Sequence, residues 1–136
     1  MALTLLMGCA TAGEPLRAAA ASGTPADGKL RVTFLDVGQG DGIFVLSPTG
    51  KSVLIDAGVK EAAPVVAAAI REAGVKTLDL VIGTHAHADH IGGLTEILKE
   101  FGARAFMDPA FPHPSGTYRQ LLEFLEIRKI PKLIAR

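Results

Sequence analysis

Residues 84–90, Thr84-His85-Ala86-His87-Ala88-Asp89-His90, gather three of the chain's four histidines and one carboxylate within six positions. Imidazole and carboxylate at that density suit Zn, Mn or Fe, and with no cysteine nearby thiolate-preferring ions are disfavoured. His85 and His87 are two apart, so in extended chain their side chains point the same way and can grip one ion. Asp89 and His90 fall where the chain turns into a helix and can face a second. The small residues Ala86 and Ala88 leave room for both. The simpler alternative is a polar loop that caps the next helix, with Asp89 as N-cap. A lone histidine would favour that alternative, but ionisable groups seldom cluster this densely without a ligand.

The elements on either side determine whether these side chains converge. Leu30, Val32 and Phe34 alternate with Arg31 and Thr33, the period-two pattern of a strand with one buried face. A glycine-rich loop follows, Asp36-Val37-Gly38-Gln39-Gly40-Asp41-Gly42. Further strands are expected at 43–46 and 52–55, the second ending at Asp56-Ala57-Gly58; their short connections predict antiparallel pairing. Glu61 to Ala73 reads as a helix, with Pro64 in its first turn and Gly74 just past its end. Leu78 to Ile82 is a short apolar run of the kind buried on both faces of a sheet, and it leads straight into the histidine segment. A helix from Ile91 to Phe101, a strand at 103–107, a helix from Tyr118 to Lys129 capped by Ser115 or Thr117, and a final strand at 131–135 complete the order. The class is mixed α/β. Loops at the carboxyl ends of strands are where such folds usually place ligands, which is where residues 84–90 fall.

The histidine segment resembles the signature of the metallo-β-lactamase superfamily, His-x-His-x-Asp-His, at every position: His85, His87, Asp89 and His90. The flanking Ile91-Gly92-Gly93-Leu94 fits the same family, as does Val53-Leu54-Ile55-Asp56-Ala57-Gly58. Within the superfamily, Phe34-Leu35-Asp36-Val37-Gly38-Gln39-Gly40-Asp41 is similar to the metallo-hydrolase domain of ComEC competence proteins. The resemblance implies an α/β fold, the N-terminal half of an αββα sandwich, and a site for two Zn2+ ions, with Mn2+ or Fe as alternatives. His85 and His87 would hold the first ion and Asp89 and His90 the second, with Asp89 also catalytic by orienting the attacking water. Asp56 would support the site by fixing a ligand imidazole, where turn statistics alone make it a strand-end aspartate. The ComEC likeness favours phosphodiester hydrolysis, plausibly of DNA. A lactone, thioester or ester hydrolase on the same motif is the alternative, and a non-catalytic metal-binding fragment or partner module is a third.

The loop residues Asp36, Gly38, Gln39, Gly40 and Asp41 form a possible substrate loop. Its glycines allow positive φ and its amides could hold an anion. Its two aspartates oppose that, and a tight turn in which they satisfy their own backbone explains them equally well. His113 matches no family ligand, and its proline neighbours read as an extended surface loop. Arg119 to Arg136 carries five basic and two acidic residues, either one bank of a phosphate groove or a solvated helix face.

Composition narrows the classes. Of 136 residues, 14 are basic and 14 acidic, which argues against a strongly basic nucleic-acid platform. Aromatics at 5% disfavour a stacking surface for single strands. One cysteine excludes an internal disulfide, and no apolar run approaches the roughly 18 residues of a membrane span. Residues 1–28 read as a signal-like, lipoprotein-like leader with an Ala-rich linker, Cys9 being the position a lipid would modify, which points to export. A frayed terminus with an incidental cysteine explains the same residues. Residues 29–136 form a partial metallo-β-lactamase-fold domain, and family members complete their metal shells with residues from a second half. An exposed sheet edge, and with it dimerisation or aggregation, is therefore expected.

Overall fold

The computed structural model describes residues 27–135; the leader and Cys9 lie outside the described residues. Six strands form one sheet in sequential order: β1 (Arg31–Phe34), β2 (Ile43–Leu46), β3 (Ser52–Ile55), β4 (Leu80–Ile82), β5 (Phe106–Asp108) and β6 (Lys132–Ile134). The first three pair antiparallel through short turns, and β3 to β6 run parallel. Parallel neighbours need a crossover, and helices supply each one. A 3-10 turn at Lys60–Ala62 leads into α1 (Ala63–Glu72), then come α2 (Ala88–Ile91), α3 (Leu94–Phe101) and α4 (Gly116–Ile127). The order read from the sequence holds, and Ser115 is the cap of α4, its hydroxyl accepting from the Tyr118 amide.

Two boundaries differ. The helix expected over 91–101 is broken in two at Gly92-Gly93. A Cβ on Gly93 would meet the Ala57 carbonyl oxygen at 2.5 Å, so the chain packs against the end of β3 too closely for a continuous side-chain-bearing helix. The strands expected to begin at Leu78 and Ala103 begin later, and those two residues meet only in an isolated parallel bridge.

The helices pack on one face of the sheet. Phe44 and Leu46 of β2, Leu54 of β3, Val81 of β4 and Phe106 of β5 point into that layer and are buried. They meet Val66 and Ile70 of α1, Leu94, Ile97 and Leu98 of α3, and Leu121 and Leu125 of α4. Strand alternation puts Val32, Phe34, Ile43, Val45, Val53, Ile55, Leu80, Ile82, Met107 and Leu133 on the opposite face, where none is buried. The run over Leu78 to Ile82 was expected to be buried on both faces; here Val81 is buried and its neighbours Leu80 and Ile82 are half-buried. Both edge strands are exposed along their length, the open edge that was expected; the buried face expected of Leu30, Val32 and Phe34 is not found, because no described element packs on that side of β1.

Asp79 ties the lower ends of β3 and β4 together. Its carboxylate accepts from the Ser52 amide at 3.0 Å and from Lys51 Nζ at 2.9 Å, with Arg104 Nε at 3.3 Å. Partial burial opposes ionisation, but these donors outweigh it and hold the carboxyl below the usual range. A group depressed in the folded state contributes stability that is present above its unfolded pKa of about 3.9 and lost as pH falls through the folded value. Asp79→Asn is therefore expected to cost about 1–3 kcal/mol at pH 7 and to reduce the loss of stability between pH 5 and pH 3. Urea unfolding at both pH values measures this, and equal acid sensitivity in the two proteins would refute it.

Candidate metal centre

The candidate residues gather at the carboxyl ends of three adjacent parallel strands. Asp56 follows β3, Thr84 to His90 follow β4, and Asp108 closes β5. Asp56 has a positive φ of 54°, the left-handed region that few non-glycine residues adopt, though aspartate tolerates it better than most. That turn folds its side chain back beneath the histidine segment. Backbone bonds hold the conformation: the Asp56 amide donates to the Ile82 carbonyl at 2.9 Å and the Ala57 amide to the His90 carbonyl at 2.8 Å.

The Asp56 carboxylate is completely buried, and three donors meet it. Oδ1 accepts from the Thr84 amide at 2.9 Å, and Oδ2 accepts from the Thr84 hydroxyl at 2.5 Å and from His90 Nδ1 at 2.9 Å. Because the Thr84 hydroxyl spends its proton on Asp56, its oxygen is left to accept from His85 Nδ1, 3.0 Å away. Both imidazoles are thereby fixed with Nδ1 protonated and the Nε2 lone pair free to bind an ion. The ring centroids of His85 and His90 are 3.9 Å apart, and those of His85 and His87 are 4.7 Å apart.

The simpler alternative, Asp89 as helix cap, does not hold. His87, with extended backbone (φ −82°, ψ 145°), is the N-cap of α2, and Asp89 lies inside the helix. The Asp89 carboxylate is free of the capping role, and Oδ2 accepts from Gln39 Nε2 at 3.2 Å. Its own backbone amide, together with Gln39 and the charges of His90 and His87, holds its carboxyl below the usual range against a small desolvation effect. It remains an anion suited to a cation.

The glycine-rich loop lies against this cluster. Gly40 has φ 83°, and a Cβ there would overlap the Asp89 carbonyl oxygen, so only glycine lets the loop approach. The approach puts Asp41 Oδ2 3.6 Å from His90 Nδ1. Asp41, Asp56 and His90 have donor atoms within 4.8 Å of one another. With both Asp56 oxygens already engaged, Asp56 is placed to hold His90 rather than an ion, and Asp41 is the free carboxylate of the three. Asp36 is the one aspartate of the loop turned away; it accepts from the Gly38 amide at 3.3 Å, the self-satisfied turn weighed above.

Sequence reasoning assigned no part to Thr84, although a hydroxyl immediately before His85 is a readable signal for a partner to that ring. It also placed His113 on a surface loop. His113 is exposed, yet its ring centroid lies 5.2 Å from that of His87. Tyr118 draws this loop in by donating to Asp108 Oδ2 at 2.5 Å, a contact between residues ten apart that local sequence does not announce. Burial and this bond push the Tyr118 phenol up to about 12.

Fold and site together define an α/β protein with a histidine–carboxylate centre at the ends of its parallel strands. The chain belongs to the Metallo-beta-lactamase superfamily, whose family model matches residues 35–131. Over 94 residues it is 37% identical to the hydroxyacylglutathione hydrolase of Rhodopseudomonas palustris (strain BisB18), covering 66% of this chain and 34% of that protein. It is 32% identical over 134 residues to the endoribonuclease YSH1 of Mycosarcoma maydis, covering 93% of this chain and 14% of that protein. Among solved structures, MEM-A1, a subclass B3 metallo-beta-lactamase from a soil metagenome library, matches with a TM-score of 0.49 and 31% identity, over 56% of this chain and 29% of its own. The chain thus spans about a third of the length of the hydroxyacylglutathione hydrolase it matches. The family model shows the superfamily, and the curated relatives do not single out the ComEC group.

The Asp56–Thr84 arrangement can be tested apart from any metal. Long-range 1H–15N NMR is expected to show His85 and His90 in the Nδ1–H tautomer. Thr84→Val should shift His85 towards a tautomeric mixture while His90 keeps its partner. A Nε2–H tautomer for His90 in the unaltered protein would contradict the hydrogen-bond assignment.

Proposed function

We propose that this chain carries the metal-binding part of a hydrolase that cleaves a thioester. The centre itself is supported most directly by the two imidazoles whose Nδ1 atoms are occupied by Thr84 and Asp56, leaving Nε2 of each for an ion. This is the arrangement that outer partners give metal-ligating histidines. The donor set of neutral imidazoles and carboxylates fits zinc, with manganese or iron as alternatives. His85 and His87 would hold one ion, and Asp89 and His90 a second. Ions so held supply Lewis-acid polarisation of a substrate carbonyl and lower the pKa of water.

The chain's own residues orient and hold charge. Asp56, buried beneath the segment, fixes His90 in position by accepting from its Nδ1 at 2.9 Å. Asp89, kept ionised and steadied by Gln39, is placed to accept a proton from an attacking water and to aim its lone pair. Asp41 stands 3.6 Å from His90 Nδ1, a second carboxylate on the Asp56 side of that ring.

The choice of thioester rests on the alignment with the hydroxyacylglutathione hydrolase, a hydroxyacylglutathione being a thioester. Phosphodiester hydrolysis is the second reading and has one supporting observation, the alignment along nearly the whole chain with an endoribonuclease. Of the basic residues offered for a phosphate groove, Arg119 lies in the first turn of α4 next to Tyr118, at the site's end, but three others do not strengthen the reading. Arg128 and Lys129 end α4 and Lys132 begins β6, at the opposite end of the sheet from the site.

The zinc-loaded full chain is expected to hydrolyse a simple acyl thioester faster than bis(p-nitrophenyl) phosphate or a short RNA. Turnover of only the phosphodiesters would reverse the ranking of the two readings. Zinc binding with no turnover of either substrate class would leave a metal-binding module without catalysis. His87→Ala is expected to abolish hydrolysis with unchanged circular dichroism. Asp56→Asn should weaken zinc binding about 10–100-fold by calorimetric titration, and unaltered affinity would remove Asp56 from its assigned role.

A further inference from the structure

A cavity of about 110 Å³ opens beside the histidines, between the ends of β4 and β5 and the loop that carries His113. Gly83, Ile91 and Phe106 form its floor, Phe111 and Pro112 its rim, and His85 and His87 stand at one side. Tyr118 and Asp108 are the polar groups of the inner wall and are bonded to each other, and the imidazole of His113 stands at the mouth with those of His85 and His87. Among the described residues, no buried side-chain polar atom lacks a partner. Beyond the imidazoles at its mouth, the inner wall offers a polar ligand no unpaired group, so a nucleobase or a sugar that entered it would lose water bonds without replacement. An apolar group enters without that loss.

We infer that this cavity seats the acyl chain of the substrate, and that the chain is short and aliphatic. An apolar cavity of about 150 Å³ accommodates benzene, so this one has room for about four carbons. With the alkyl group inside, the carbonyl carbon falls at the mouth beside His85 and His87. His113 faces His87 at that opening, their ring centroids 5.2 Å apart. The inference rests on the thioester reading for the identity of the group as an acyl chain, and the cavity's preference for size and polarity rests on its walls alone.

Gly83 gives the test a specific handle. A Cβ there would stand 3.2 Å from Ile91 Cγ2 and 3.2 Å from Phe106 Cζ, so Gly83→Ala narrows the floor without a backbone clash. Acetate, butyrate and octanoate serve as probes that cannot be hydrolysed, titrated against the zinc-loaded full chain and followed through the Ile91 methyl resonances. Butyrate is expected to bind about tenfold more tightly than acetate, as burial of two further methylenes implies, and more tightly than octanoate. The Ile91 signals should move with butyrate and scarcely with acetate. Gly83→Ala should bring butyrate down to the affinity of acetate. Phe111→Ala, at an exposed rim position that carries no risk to the core, should let octanoate gain on butyrate. Affinity independent of chain length, or a butyrate preference that survives Gly83→Ala, would overturn the assignment. The two ideas fail separately. A butyrate preference in a protein that hydrolyses no thioester removes the reading and keeps the cavity; hydrolysis indifferent to acyl length removes the cavity's role and keeps the reading.

Discussion

One buried carboxylate organises this end of the molecule. Asp56 is buried away from water, and three donors from one neighbouring segment satisfy its oxygens. Two of those donors belong to Thr84 and the third to His90, so the carboxylate draws the start and the end of the histidine segment onto one point. Without it the segment would be a strand end running into a short helix, and nothing in α2 alone, four residues long, would hold His90 in register with His85. The positive φ at Asp56 is the cost of turning the side chain inward. Strain of that kind persists only where the surroundings over-determine it, and here the backbone bonds to Ile82 and His90 do so.

The gathering of histidine and aspartate at this site is legible in the sequence because it depends on residue type and close spacing, both of which a linear reading retains. Three histidines and an aspartate in six residues survive any uncertainty over element boundaries. The α/β order is legible for a similar reason, since short alternating runs and amphipathic stretches follow one another with clear glycine and proline punctuation. What escapes is the non-local part. The break at Gly92-Gly93 comes from the nearness of Ala57, which no helical period records. His113 reads as a surface residue from its proline neighbours and is indeed exposed, but the Tyr118–Asp108 bond carries its loop to the histidines. The self-satisfied turn of Asp36 and the outward reach of Asp41 cannot be told apart in a loop whose two aspartates look alike.

The sheet's two faces show the same division between local pattern and global context. On the helix side, strand residues alternate inward and are buried. On the other side the alternation is just as regular, but it delivers valine, isoleucine, leucine and phenylalanine to a surface that no described element covers. An exposed face would ordinarily carry polar residues in a half-buried antiparallel sheet, and parallel strands are normally covered on both sides. The apolar character of this face is that of a covered sheet face, which matches the second sheet of the αββα sandwich that the family resemblance implies.

That open face bears on how much of the site can stand by itself. Every hydrogen bond that orients His85 and His90 comes from the loops after β3 and β4, and those strands are anchored by Leu54 and Val81 in the helix-covered core. The glycine-rich loop rests on Asp89 through Gly40 and is tied to the same place by the Gly58 amide, which donates to the Asp41 carbonyl at 2.9 Å. None of these contacts passes through the uncovered side of the sheet. The four signature residues are therefore pre-arranged by one layer of the fold, and whatever packs on the other face can add ligands or substrate contacts without having to build the histidine cluster. This ordering suits a metal site, because ligands held in place before the ion arrives avoid the entropy of being gathered by it.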